Sequence, residues 1–148
     1  MSWKMYEIDR AAHDLVLKFR DKKDVLNESH KMRVTTAYGL ERFWGEHLRL
    51  QRESQDKADY WKETWKTLCK IMKQAGIQIP DDSVSADNSA AIKMMTDKLW
   101  DFDQEQRKIA LAILTELCDS LIWWTQRYKQ PKGNKQPKNQ VGGSTNAR

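Results

Sequence analysis

Residues that break helices are scarce along most of this chain. The first 130 residues contain one proline, Pro80, and three glycines, Gly39, Gly45 and Gly76. Phosphate-binding loops and nucleophile elbows depend on glycine-rich turns, so the sequence excludes both kinds of motif. Because Lys, Glu, Gln, Ala and Leu dominate what remains, the backbone is predicted to be almost entirely helical.

Cysteines and long apolar runs are also few. Cys69 and Cys118 lack partners at metal or redox-motif spacing, so we expect two buried reduced thiols, with a disulfide between them as the alternative. The N-terminus has no signal-peptide stretch. The most hydrophobic run, Ile109 to Trp124, contains two acidic residues and is too short to span a bilayer. The sequence therefore predicts a cytoplasmic protein that does not contact a membrane.

The positive charge of the chain is concentrated at its C-terminus. The net charge is +5, and the residues after Tyr128 carry five basic groups and no acidic one. The remaining 21 basic residues equal the 21 acidic residues, so the body is neutral. Residues 130–148 are rich in Pro, Gly, Asn and Lys and cannot bury enough apolar surface to fold. We predict a helical domain over residues 1–129 and a flexible basic tail over residues 130–148.

Apolar residues recur at three- and four-residue spacing, as on the buried face of an amphipathic helix. The first helix is predicted from Tyr6 to Lys22. A single helix from Ser29 to Ala75 would extend about 70 Å, so we place a break at the polar segment Arg52 to Asp59. The predicted faces are Met5, Ile8, Ala12, Leu15, Val16 and Phe19; Thr36, Leu40, Phe43, His47 and Leu50; and Trp61, Trp65, Leu68, Met72 and Ala75.

Turn and cap residues complete the predicted architecture. Gly76 is placed to end the helix before it, and the loop Ile77 to Asp87 follows. The last helix is apolar on nearly all sides, which is typical of a central helix or of one with a face covered by a partner. The fold is predicted to be all-α, a single bundle of about five helices. The predicted N-caps are Asn27 or Ser29, then Asp87, then Asp101 or Asp103, the last with Gln106 in a capping box.

No spacing of chemically reactive side chains identifies an enzyme. His13, His30 and His47 are too far apart to bind a metal from one helix face, and His13 is predicted to form an ion pair with Asp9 one turn earlier. The acidic residues are interpreted as helix caps and solvated groups rather than a magnesium site. We predict no cofactor, no metal and no catalytic residue; a helical metal-dependent hydrolase is a remaining alternative. These acidic residues are Asp81, Asp82, Asp87, Asp97, Asp101 and Asp103.

One helix face carries a row of lysines. Lys62, Lys66, Lys70 and Lys73 fall within an arc of about 80°, away from the apolar face of the same helix. The row extends over about 17 Å, so it matches successive phosphates of a nucleic-acid backbone. We predict an RNA-binding face here, and an ordinary solvated face is the alternative.

Two further features favour association with other molecules. Residues 57–79 have a net charge of +3 and residues 81–105 a net charge of −5, which is compatible with head-to-tail self-association or with neutralisation inside one molecule. Seven tryptophans exceed what a small core needs, and such residues often anchor interfaces. The predicted interface residues are Trp44, Trp100, Trp123 and Trp124.

The chain also resembles a known family. The residues Asp9-Arg10-Ala11-Ala12 open an amphipathic helix, and the chain closes with LCDSLIWWTQRY, Leu117 to Tyr128. Over Tyr6 to Tyr128 this arrangement is similar to the small helical subunits of type III CRISPR effector complexes. The resemblance implies a small all-α protein without catalytic residues that stacks in a row along an RNA-guided complex and helps hold the target strand.

The sequence thus predicts a non-catalytic subunit of a CRISPR antiviral ribonucleoprotein. Its partners would be the other subunits of the complex and the backbone of the guide or target RNA. The alternative is a protein–protein adaptor or inhibitor, such as a phage or plasmid accessory factor, that uses exposed tryptophans.

Overall fold

Residues 5–128 form an all-α structure. The computed structural model describes these residues, without the side chains of the first two, and the predicted tail over residues 130–148 lies outside them. The all-α prediction is confirmed, because the described residues are mostly helical and contain no strand, although they form six helices and not about five. The helices are α1 Met5–Phe19, α2 Glu28–Thr35, α3 Leu40–Leu50, α4 Gln55–Gln74, α5 Ser89–Trp100 and α6 Gln104–Tyr128.

The core is built on α6. This helix packs against α1, α2 and α4, while α3 packs on α4 and α5 on α3. The predicted face residues from Ile8 to Phe19, from Thr36 to Leu50 and from Trp61 to Met72 are buried as expected, and Ala75 is half-buried. The side chain of Met5, which was predicted to begin the first face, lies outside the described ones. Apolar periodicity therefore locates the core correctly.

One side of α6 is left uncovered by the other helices of residues 5–128. Ile109 and Trp123 are 39% and 48% exposed, so the helix combines a deep packing face with an outward one. Despite its 25 residues, α6 lacks the continuous apolar composition that a bilayer crossing requires, and so does every other helix within residues 5–128.

Two glycines in the left-handed φ region set the helix ends. Gly76 has φ +80°, its amide donates to the Lys73 carbonyl and the Ile77 amide donates to the Met72 carbonyl. This pair of bonds is a Schellman motif, as the position of Gly76 predicts. Gly39 has φ +103° and separates a single 3-10 turn, Thr36–Tyr38, from α3. The apolar spacing of the sequence did not predict this break.

Several predicted boundaries need correction. The first helix ends at Phe19 and not at Lys22. The break predicted between Arg52 and Asp59 is present but shorter, since α3 ends at Leu50 and α4 begins at Gln55, where the Ser54 hydroxyl accepts from the Lys57 amide. Asn27 occupies the N-cap position of α2 but forms no cap bond there. Asn88, and not Asp87, caps α5 through the Ala91 amide.

The other two cap predictions have opposite outcomes. Asp103 accepts the Gln106 amide at 3.0 Å at the start of α6, so the last predicted cap is confirmed and Asp101 is not the cap. Ser29 lies inside α2 and points into the core. Its hydroxyl contacts the hydroxyls of Tyr60 at 2.6 Å and Thr125 at 2.8 Å, so a single residue connects α2 with α4 and α6.

A buried carboxylate lies beside this cluster. The Glu28 side chain is 1% exposed and accepts the indole N–H of Trp61 at 2.9 Å. The ammonium groups of Lys31 and Lys57 lie 3.3 and 3.8 Å from it. Because a buried charge requires a partner, these contacts fix the α2–α4 packing.

Candidate functional site

The lysine row lies on the outer face of α4. Lys66, Lys70 and Lys73 are exposed and Lys62 is half-buried, while Trp61 and the other apolar residues of the helix face the core. Helical geometry produces this separation, since side chains about 100° apart along the sequence return to one face every three to four residues.

The four lysines differ in their surroundings. The Lys66 ammonium group lies 3.5 Å from the Asp81 carboxylate in the loop after α4. For Lys62, Lys70 and Lys73, no carboxylate lies within 4 Å among residues 5–128. One member of the row is therefore neutralised inside the molecule, and three are available to an external anion.

Lys62 acts on a buried histidine. His47 is buried on α3 and contacts the carbonyl oxygen of Trp44 through Nδ1. Burial lowers the pKa of His47, and the nearby positive charge of Lys62 lowers it further. The imidazole is therefore neutral at physiological pH, and His47 is a core residue rather than a surface acid or base.

Lys70 connects the row with a second group of basic residues. It lines a groove of about 380 Å³ between α1 and α4, whose apolar walls include Leu15 and Ile71. Arg10 and Lys18 of α1 line the same groove. Lys18 is paired with Glu63 at 3.3 Å, and Glu7 and Asp14 also line the groove, so its charge is mixed.

The predicted interface tryptophans fall into two classes. Trp44 is 2% exposed and belongs to the core, so as a surface residue this prediction is wrong. Its position on the apolar face of α3, beside Phe43, is the physical reason. Trp100 at the end of α5 is 60% exposed, Trp123 is 48% exposed and Trp124 is half-buried. Three of the four therefore retain accessible surface.

An aromatic stack that sequence analysis missed joins α1 to the end of α6. His13 lies parallel to Trp124, with ring centroids 3.8 Å apart, and its Nε2 contacts the Tyr128 hydroxyl at 2.8 Å. Asp9 accepts the indole N–H of Trp124 at 3.0 Å. The predicted Asp9–His13 ion pair is therefore replaced by contacts of both residues to α6. The sequence did carry one indication of this stack: positions 9 and 13, and positions 124 and 128, are each four residues apart and so lie on one face of their helix.

The two cysteines and the acidic residues near α5 have environments that the structure explains. Both cysteines are free. Burial raises the pKa of the half-buried Cys69 to about 12 and raises that of the fully buried Cys118 further, so both thiols are protonated. Several acidic residues around α5 pair with bases, as Asp82 does with Lys98 at 2.8 Å and Asp97 with Lys93 at 3.1 Å, while Asp103 caps α6. No group of three His, Cys, Asp or Glu side chains within residues 5–128 is arranged to hold a metal ion.

Comparison of the chain with protein-family models, with curated proteins and with solved structures finds no match.

Proposed function

We propose that this protein is a non-catalytic small subunit of a type III CRISPR effector complex and contacts the RNA backbone through the outer face of α4. The similarity of Leu117 to Tyr128 and of the opening helix to that family motivates the proposal. The proposed contacting residues are Lys62, Lys70 and Lys73. Lys66, the fourth lysine of the row, is paired with Asp81.

The observation that carries the proposal is a set of three ammonium groups on the side of α4 opposite the core, none of them paired with a carboxylate in the part of the chain that the structure describes. Lys62 and Lys73 are eleven residues apart, so the row spans about 17 Å along the helix axis. Ammonium groups bind phosphates as point charges and do not read base identity. Such a face suits a subunit that holds a strand whose sequence is recognised by pairing with a guide.

Charge reversal in the row tests this function. Lys70→Glu/Lys73→Glu in the full chain should weaken binding of a fluorescein-labelled single-stranded RNA, measured by anisotropy across a salt series. Loss of two phosphate contacts should reduce the slope of log K against log [salt] by about 1.4. The matched control is Lys93→Glu/Lys108→Glu, which makes the same charge change at exposed positions on α5 and α6. Equal losses in both variants would contradict a defined contact face.

The Lys66–Asp81 pair provides a test in the opposite direction. Asp81→Asn removes the carboxylate that holds Lys66 at 3.5 Å, so it should strengthen RNA binding and add about 0.7 to the salt slope. The control Asp82→Asn changes the net charge equally but releases Lys98, which lies on α5. If both substitutions strengthen binding equally, the gain reflects net charge and not the row.

A second function, a protein–protein adaptor or inhibitor, is favoured by the exposure of Trp100 and Trp123. Large aromatic side chains of this kind often dominate the energetics of an interface. A partner should protect these two side chains from acrylamide quenching of tryptophan fluorescence. Trp100→Leu and Trp123→Leu, made separately, should show which of them contributes to that protection.

A further inference from the structure

A cleft at the end of α6 has a lining that suits a cation. Its volume is about 310 Å³, and Asp9 of α1 forms one side. The side chains from α6 are Glu116, Asp119, Ser120, Trp123 and Trp124. Among residues 5–128, the lining thus contains three carboxylates, two indole rings and no basic residue.

The rings in this acidic cleft are held in a fixed arrangement. The planes of Trp123 and Trp124 are nearly perpendicular, at 78°, with centroids 4.7 Å apart. Trp124 is fixed by its bond to Asp9 and by the stacked His13 ring. Two indole rings at a right angle beside carboxylates form a corner that favours an organic cation, because ring faces and carboxylates both attract positive charge.

Two arginines of the protein itself contact the margin of the cleft, one through a cation–π contact with an indole ring and one through an ion pair with a carboxylate. The guanidinium carbon of Arg127 lies 3.5 Å from the centroid of the Trp123 ring. Arg33 donates to Asp119 at 2.7 Å, and both side chains of that pair are more than 40% exposed. Exposed ion pairs of this kind exchange readily with other cations.

One carboxylate of the cleft has no such partner. Glu116 is half-buried and forms neither a hydrogen bond nor an ion pair with any residue in the described part of the chain. It lies seven residues, or about 10 Å along the helix axis, before Trp123 on the same face of α6, and both side chains line the cleft. A basic segment that enters the cleft therefore has a carboxylate and an indole ring within its reach.

We propose that this cleft docks an arginine-containing basic segment of a partner protein, with a guanidinium group between Glu116 and Trp123. Arginine fits better than lysine because its planar group stacks on an indole ring and pairs with a carboxylate through two N–H donors. The site is separate from the lysine row of α4, so it goes beyond RNA contact and can be tested independently.

The test measures binding of an acetylated, amidated tetra-arginine peptide to the full chain by calorimetry. Glu116→Gln/Trp123→Leu should lower the affinity about tenfold, and tetra-lysine should bind the unmodified protein more weakly than tetra-arginine. The matched control is Glu105→Gln/Trp100→Leu, which removes an exposed carboxylate and an exposed tryptophan elsewhere. Because Trp123 is exposed and Glu116 unpaired, the cleft variant should keep the thermal midpoint of the unmodified protein.

Two results would overturn the proposal. One is an equal loss of affinity in the cleft variant and in the control, which would indicate unspecific attraction. The other involves the basic residues that follow α6. If Lys129→Gln/Lys132→Gln/Lys135→Gln/Lys138→Gln raises peptide affinity only when the cleft is intact, the cleft is occupied by the chain's own C-terminal segment and not by a partner.

Discussion

Removal of the Ser29 hydroxyl should destabilise the fold more than removal of most single hydroxyl groups. Ser29, Tyr60 and Thr125 are all fully buried, and the Ser29 hydroxyl contacts the other two at 2.6 and 2.8 Å. Ser29→Ala leaves two buried hydroxyl groups without this partner. Each unsatisfied group costs about 1–3 kcal/mol, and the contact between the Tyr60 and Thr125 hydroxyls offsets part of that cost. We expect the free energy of unfolding to fall by about 2–4 kcal/mol, a large part of a typical total of about 5–15 kcal/mol.

Urea denaturation of full-length variants measures this effect. The midpoint for Ser29→Ala should fall by about 1–2 M, since m-values for a domain of this size are about 1–3 kcal/mol per M. Thr64→Val is the matched control: Thr64 is buried, but its hydroxyl donates to the Tyr60 carbonyl inside α4. Because that carbonyl also accepts a helical N–H, this substitution should cost less than about 1 kcal/mol.

A triple substitution can refute the reasoning. If the cost arises from orphaned hydroxyl groups, Ser29→Ala/Tyr60→Phe/Thr125→Val should be more stable than Ser29→Ala alone, because apolar groups of similar shape then replace every member. A triple variant that is less stable than Ser29→Ala would show that each hydroxyl contributes independently.

Ionisation of Tyr60 should also make the stability of this cluster fall at alkaline pH. Burial raises the pKa of its hydroxyl from 10 to about 12. The folded-state pKa is the higher one, so the stabilisation is complete below about pH 10 and is lost as the pH rises through about 12. Tyr60→Phe should remove this part of the decline in stability, measured as the difference from the unmodified protein.

Three further predictions follow from other residues. Burial holds the pKa of His47 below its ordinary 6.5. The contribution of the neutral imidazole to the free energy of unfolding is therefore present above pH 6.5 and is lost as the pH falls towards the folded-state pKa. His47→Gln should weaken the decline of the urea-denaturation midpoint at acidic pH. Gly39→Ala should destabilise by about 1–3 kcal/mol because Gly39 has φ +103°, whereas Gly45→Ala, inside α3 with open space around it, should stabilise by about 0.5–1 kcal/mol; a reversed order in thermal melts would contradict the backbone argument. Native protein at pH 8 should react slowly with iodoacetamide at both cysteines, and denatured protein should react at both, since burial raises both thiol pKa values; rapid native labelling of Cys118, followed by mass spectrometry, would show that α6 opens.

Local features of the fold were predictable because their causes are local. The apolar faces, the Gly76 helix end and the Asp103 cap each depend on residues within about one or two turns of one another. Gly39 was missed because Leu40 continues the apolar spacing across it, and the periodicity conceals a break that only the backbone conformation reveals. The predicted N-cap of α5, Asp87, lies one residue before the observed cap, Asn88, because Asp and Asn are equally suitable cap residues.

The polar contacts between helices were not predictable from spacing. Ser29 and Thr125 are separated by 96 residues and His13 and Tyr128 by 115, and no periodicity within a helix encodes such pairs. The same holds for Lys66 and Asp81, whose contact depends on the path of the loop after Gly76. The orientation of the lysine row was therefore predictable, but the neutralisation of one of its members was not.

The charge balance determines how this protein can attract a polyanion. Lys4 and the five basic residues after Tyr128 account for six of the 26 basic residues, which leaves 20 against 21 acidic residues in the described part of the chain. A body with almost no net charge attracts RNA only where cations lack acidic neighbours, because exposed charges are screened within about 10 Å at moderate ionic strength. On the outer face of α4, Lys70 and Lys73 come nearest to this condition, since neither forms an ion pair with any residue from 5 to 128, although Lys70 shares its groove with Glu7 and Asp14. In the acidic cleft, Glu116 is a carboxylate without an ion pair among the same residues. Under the two proposals made above, oppositely charged faces on a neutral body would let one small bundle hold a nucleic-acid strand and a basic protein segment at the same time.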